Sequence, residues 1–204
     1  MKTGLVNLLL PGALLVAPVQ LYAGNVVTDW NTTASATIVT DGGKASVASG
    51  VWFAYTFIAV FDAVNAAHRM YQPFYYNGIA PAAASDEAAA AAAAHRVLVN
   101  YFPAQQASLD AALTQSLNAI IAPAQAKTDG VATGEAAAAA LIAERANDGL
   151  EANVPNTAGN GAGVWQPTPP GFLPALTPWL GQMRPFALKG PAQFLPDGPT
   201  PLTS

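Results

Sequence analysis

The chain has 204 residues, with charged residues making up only 10% and the apolar set 52%, against roughly 25% charged in an average soluble domain. That composition excludes a charged, disordered chain, and a formal net charge of -4 without a basic stripe excludes the counterion-releasing grip that nucleic acids need. Cysteine is absent and histidine occurs only at His68 and His95, so disulfides, thiolate metal sites and cysteine nucleophiles are excluded too.

Residues 1 to 23 carry one charge at Lys2, an apolar run from Leu5 to Val16 interrupted by Pro11 and Gly12, and Ala23 at a cleavage-like position. The run is too short and too broken to span a bilayer, which takes about 20 apolar residues. It reads as a secretory signal peptide, giving a secreted or periplasmic protein with no stable membrane span. The competing reading is a retained first helix or anchor.

From Val26 to about Thr40, apolar residues recur every three or four positions, which predicts a helix. Asp41-Gly42-Gly43 is a turn. The next helix, from about Lys44 to Met70, is apolar on several faces and is expected to be the central one. An aromatic loop from Tyr71 to Gly78 follows. Ser85-Asp86-Glu87 then precedes seven alanines, Ala88 to Ala94: a capping serine, acids in the first turn and the strongest helix former. Two further helices are expected from about Ala104 to Ile121 and from about Ala124 to Asn147, with Gly130 and Gly134 as close-packing points. Five helices joined by short loops predict an all-α bundle over residues 24–149. Eleven of the seventeen prolines fall in residues 150–204, a density that no long helix survives. That tract is expected to be a Pro-rich extended arm pinned through Trp165, Phe172, Trp179, Phe186 and Phe194, with a linker as the alternative.

Three groups of residues invite chemistry. Asp62, Asn65 and Arg69 share one helical face, and there they either bind an anion or water, or form a structural hydrogen-bond network. His68 and His95 are each a general-base candidate, yet neither has a partner at a diagnostic spacing, which favours structural roles. Gly159-Asn160-Gly161-Ala162-Gly163 lacks the spacing of a phosphate loop and reads as a turn. Asn31-Thr32-Thr33 meets the glycosylation sequon, of consequence only in a eukaryotic secretory pathway.

Several strings occur together in order: Phe57-Ile58-Ala59-Val60-Phe61-Asp62-Ala63-Val64-Asn65-Ala66, Tyr71-Gln72-Pro73, Ala92-Ala93-Ala94-His95-Arg96-Val97-Leu98 and Phe102-Pro103-Ala104-Gln105-Gln106. Val164-Trp165-Gln166-Pro167-Thr168-Pro169-Pro170 and Pro185-Phe186-Ala187-Leu188 follow. In this order the chain resembles the amino-terminal half of bacterial vanadium-dependent haloperoxidase-like proteins, relatives of the type 2 phosphatidic acid phosphatases. The resemblance implies helical bundles and an oxyanion site for vanadate or phosphate. That site is built from a lysine with Arg-Pro seven residues on, a Ser-Gly-His, and an arginine with a histidine six residues on. Arginine and lysine hold the equatorial oxygens while histidine ligates vanadium or attacks phosphorus.

None of these elements is present. Val51, Gly134 and Pro196 stand seven residues after Lys44, Lys127 and Lys189, and Ser49-Gly50 is followed by Val51. Tyr75, Phe102, Glu151 and Gly190 stand six after Arg69, Arg96, Arg145 and Arg184. No catalytic, cofactor or metal residue is therefore assigned. The expectation is a non-catalytic amino-terminal portion whose partner is the missing carboxyl-terminal catalytic half, homo-oligomerisation remaining open. A freestanding exported binding or scaffold module is the alternative.

Overall fold

The computed structural model describes residues 25–155, 159 and 164–197. The proposed signal peptide lies outside the described residues, as do positions 160–163 of the glycine-rich stretch. The described residues form an all-helical protein of five α-helices.

Helix α1, Val26–Ser35, starts where the Asn25 side chain accepts the Val27 amide. It runs directly into a wider π-helical turn, Ala36–Asp41. The expected helix to Thr40 is thus two kinds of helix, and the change of pitch keeps Ile38 as deeply buried as Trp30 and Ala34. Helix α2, Ser46–His68, stops at Arg69, which takes a left-handed conformation and donates its amide to Asn65. Helix α3, Asp86–Tyr101, is capped by Ser85, whose hydroxyl accepts the Ala88 amide. Asp86 and Glu87 complement the helix dipole in its first turn.

Pro103 opens a single 3-10 turn, Pro103–Gln105, which leads into α4, Gln106–Ala119. Helix α5, Ala124–Arg145, completes the bundle. Among the described residues of the carboxyl-terminal tract, one more 3-10 turn occurs at Pro178–Gly181.

The central element is α3 rather than α2. Helices α1, α2, α4 and α5 all pack on α3, and every alanine from Ala88 to Ala94 is buried. Hydropathy alone ranks α2 innermost, but a helix surrounded on all sides needs short side chains so that neighbouring axes approach. Seven alanines meet that need. Helix α5 comes closest: a Cβ on Gly134 would stand 2.3 Å from the Ala89 carbonyl oxygen, and one on Gly130 would stand 2.4 Å from that of Ser85. Larger side chains close the core around this contact, including Trp52, Tyr55, Leu98, Leu109 and Leu141. Each contributes about 1.5–3 kcal/mol by leaving water.

Two aromatic residues of the carboxyl-terminal tract reach this core. Trp179 packs edge-on against Trp52, and Phe186 packs edge-on against Tyr55. Trp165, Phe172 and Phe194, expected to pin the tract, are exposed instead.

Candidate functional site

The face shared by Asp62, Asn65 and Arg69 holds a loop. Both carboxylate oxygens of Asp62 are used: Oδ1 accepts the Phe74 amide at 2.8 Å, and Oδ2 accepts those of Tyr75 and Tyr76 at 2.7 and 3.0 Å. Asn65 pairs with the backbone of Tyr71 in both directions, donating from Nδ2 to the carbonyl and accepting the amide at Oδ1. Arg69 donates to the Asn77 side chain. Spacing along α2 therefore catches the backbone of residues 71–77 one group at a time, and the oxygens of Asp62 that an incoming ligand would need are already occupied.

The two histidines stand on different helices with separate acidic partners. His68 Nε2 lies 2.6 Å from Asp86 Oδ2, linking the end of α2 to the start of α3. His95 Nε2 lies 2.7 Å from Asp110 Oδ1, linking α3 to α4. The His95 ring also meets Trp30 edge-on, and the Trp30 indole donates to Ser116 Oγ, so α1, α3 and α4 are fastened at one place.

The cluster that sequence reasoning missed lies where α5 ends. Arg145 Nε sits 2.6 Å from Asp148 Oδ2 as an ion pair, with both side chains 1% exposed. The other guanidinium nitrogens donate to the backbone oxygens of Arg184 and Pro185 and reach the Tyr75 hydroxyl. The Tyr55 hydroxyl donates to Asp148 at 2.5 Å, and the Tyr55 ring stacks on Tyr101 at 5.0 Å. The guanidinium also lies 4.4 Å above the Phe186 ring.

Burial pushes the Tyr55 phenol well above its ordinary value, and its hydrogen bond to Asp148 adds to the shift. Burial and then the charge of Asp148 push Tyr101 up to about 12. Burial works to lower Arg145, but Tyr55 and Asp148 outweigh it and hold the guanidinium above its usual range. The protons of this cluster are therefore held tightly near neutral pH. A cleft of about 620 Å³ opens at this cluster, and Arg145 and Asp148 line it together with Asn100, Tyr101, Ile142 and Leu150. The Arg145 donors are spent on Asp148 and on the backbone oxygens of Arg184 and Pro185, so the pair serves as a clamp for the returning chain rather than as an anion grip. The signal in the sequence was a charged pair one turn apart in a chain poor in charge.

Four further cations are engaged: Lys44 with Glu151, Arg96 with Glu135, Arg184 with Glu144, and Lys127 with the Leu117 carbonyl in the last turn of α4. Among the described residues no three His, Asp or Glu side chains converge in a way that would hold a metal ion. The chain matched no protein-family model, no curated protein and no solved structure.

Proposed function

We propose that this chain is the exported, non-catalytic amino-terminal portion of a protein similar to vanadium-dependent haloperoxidases and type 2 phosphatidic acid phosphatases. Its role is to form the helical bundle on which a carboxyl-terminal catalytic half assembles. The parent reaction is peroxide-dependent halide oxidation or phosphate-ester hydrolysis at a common oxyanion site.

One observation carries the non-catalytic reading. Lys44, Arg69, Arg96, Lys127, Arg145 and Arg184, together with both histidines, are each bonded to a partner within this chain. An oxyanion such as vanadate needs several converging donors free to turn towards it, and these residues do not fit that group. The assembly reading draws support from the tract after residue 164, where Trp165, Phe172, Leu173, Leu176 and Phe194 are exposed. Apolar side chains gathered on one segment favour an interaction surface.

A second reading, a freestanding exported binding or scaffold module, is favoured by the return of Trp179 and Phe186 onto the bundle core. The purified chain is expected to give neither vanadate-dependent bromide oxidation nor hydrolysis of a generic phosphate ester. Turnover that disappears in His68→Ala or His95→Ala would overturn the proposal. Continuation of the reading frame into the lysine, Ser-Gly-His and arginine-histidine elements selects the first reading, and unrelated sequence selects the second.

A further inference from the structure

Helix α2 is apolar on most of its faces, with a mean hydropathy of 1.6 over its most apolar window, yet only 56% of that window is buried. A soluble helix of that kind is ordinarily enclosed on every side. The side facing away from α3 and α5 carries Val47, Gly50, Ala54, Phe57, Phe61 and Val64, at alternating spacings of three and four residues. That is the spacing of a seam made to meet another helix. All six are exposed or half-buried, and nothing among the described residues stands within 4 Å of a Cβ placed on Gly50. At the carboxyl-terminal end of α2 the seam sinks into an apolar groove of about 400 Å³, flanked by Val27, Met70 and Tyr71.

We infer that this seam is the interface of a homodimer, in which α2 packs antiparallel against α2 of a second copy across a two-fold axis. The residues complement themselves in that arrangement. Aligned antiparallel, Val47 meets the partner's Val64, Gly50 meets the partner's Phe61, and Ala54 meets the partner's Phe57. Small residues in the first half of α2 thus oppose large ones in the second half. Val47, 62% exposed, enters the partner's groove while its own groove receives the partner's valine. Such mutual insertion is what an isologous interface requires.

The area fits a dimer that dissociates on dilution. Met70 and Tyr71 are 72% and 64% exposed, and Val27 and Phe74 extend the patch. With Val47 and the rest of the seam these groups present on the order of 500 Å² per chain, so that a pair buries on the order of 1,000 Å², the size of a weak, reversible interface. A membrane surface suits the seam less well. An interfacial helix turns a lysine- and arginine-rich face to water, whereas the opposite side of α2 is committed to α3 and α5.

Sedimentation of the full chain at micromolar concentration is expected to give a dimer that dissociates on dilution. Val47→Glu and Gly50→Lys act at exposed positions, and the second also removes a helix-interior glycine. Both are therefore expected to fold with unchanged helical content while weakening the dimer at least tenfold. The absence of native cysteine permits a direct test of orientation. An oxidised mixture of Val47→Cys and Val64→Cys chains should yield the mixed disulfide in preference to either pure one. A wild-type monomer at 100 micromolar, a dimer indifferent to both charged variants, or cross-linking of Val47→Cys to itself would each overturn the inference. So would partition of the chain onto phosphatidylcholine vesicles with loss of the dimer.

Discussion

Arg145 and Asp148 stand one helical turn apart where α5 ends, and their 2.6 Å contact is sealed beneath the chain that returns from residue 184. Isolated charges of this kind are costly to bury, and the pair persists because its remaining hydrogen-bonding capacity is used. Asp148 accepts from Tyr55 and from the Leu150 amide, and the guanidinium donates to two backbone carbonyls. Asp148→Asn leaves the guanidinium buried without its counter-charge and is expected to cost about 3–5 kcal/mol in urea unfolding. Removing Glu135 from its exposed pair with Arg96 should cost less than about 1 kcal/mol. Equal costs for the two would show that the clamp contributes nothing beyond an ordinary surface contact.

The tyrosines beside the clamp set the alkaline limit of the fold. The folded-state value of Tyr101 is raised from 10.0 to about 12, so its neutral form is favoured in the folded chain. Its contribution to stability is complete below about pH 10 and is lost as the pH rises through 12, because the unfolded chain gives up the proton first. Tyr55 is shifted in the same direction and extends the loss to higher pH. Stability measured by denaturant titration should therefore fall from about pH 10 upwards, with a limiting slope of about 1.4 kcal/mol per pH unit for each phenol. Tyr101→Phe should reduce that slope, and an unchanged slope would assign the alkaline loss to other groups.

Asp62 predicts a local effect. Its two oxygens accept three backbone amides, and an asparagine would turn an amide donor towards at least one of them. Asp62→Asn is expected to cost about 2–3 kcal/mol, through lost charge-assisted bonds and a backbone amide left without an acceptor. Hydrogen exchange should accelerate at the amides of residues 74–76 while those in the middle of α3 change far less. Uniform acceleration in both places would mean that the loop and the bundle unfold as one unit.

These contacts mark where sequence reasoning succeeds and where it stops. The Ser85 cap, the acidic first turn and the alanine run are local signals, and α3 follows from them almost to the residue. That Asp62, Asn65 and Arg69 share a face was equally legible, since it depends only on 3.6 residues per turn. What they hold was not, because three amides a dozen or more residues away become partners only once Arg69 has turned the chain back. Asp148 follows directly on the helix expected to reach Asn147, and nothing in its local sequence marks it as a buried partner. Its companions Tyr55 and Tyr101 lie 93 and 47 residues away, and no periodicity connects them. The rank order of α2 and α3 was misjudged because hydropathy measures transfer from water, whereas centrality in this bundle depends on side-chain size.

Side-chain size leads to the last prediction. Gly134 faces α3 at the level of Ala89 and Ala92, and a methyl group there would meet a carbonyl oxygen at 2.3 Å and the Ala92 Cβ at 2.9 Å. Neither neighbour is a flexible side-chain end, so Gly134→Ala has to push the α5 and α3 backbones apart. Alanine is the better helix former by about 1 kcal/mol, which works in the opposite direction. Overpacking of a close helix contact costs about 1–3 kcal/mol and outweighs that gain. Gly134→Ala should therefore lower the thermal midpoint, and Gly130→Ala, confronting the Ser85 carbonyl at 2.4 Å, should do the same. A raised midpoint in both variants would mean that propensity outweighs packing here, and that α5 does not approach α3 as closely as the alanine run allows.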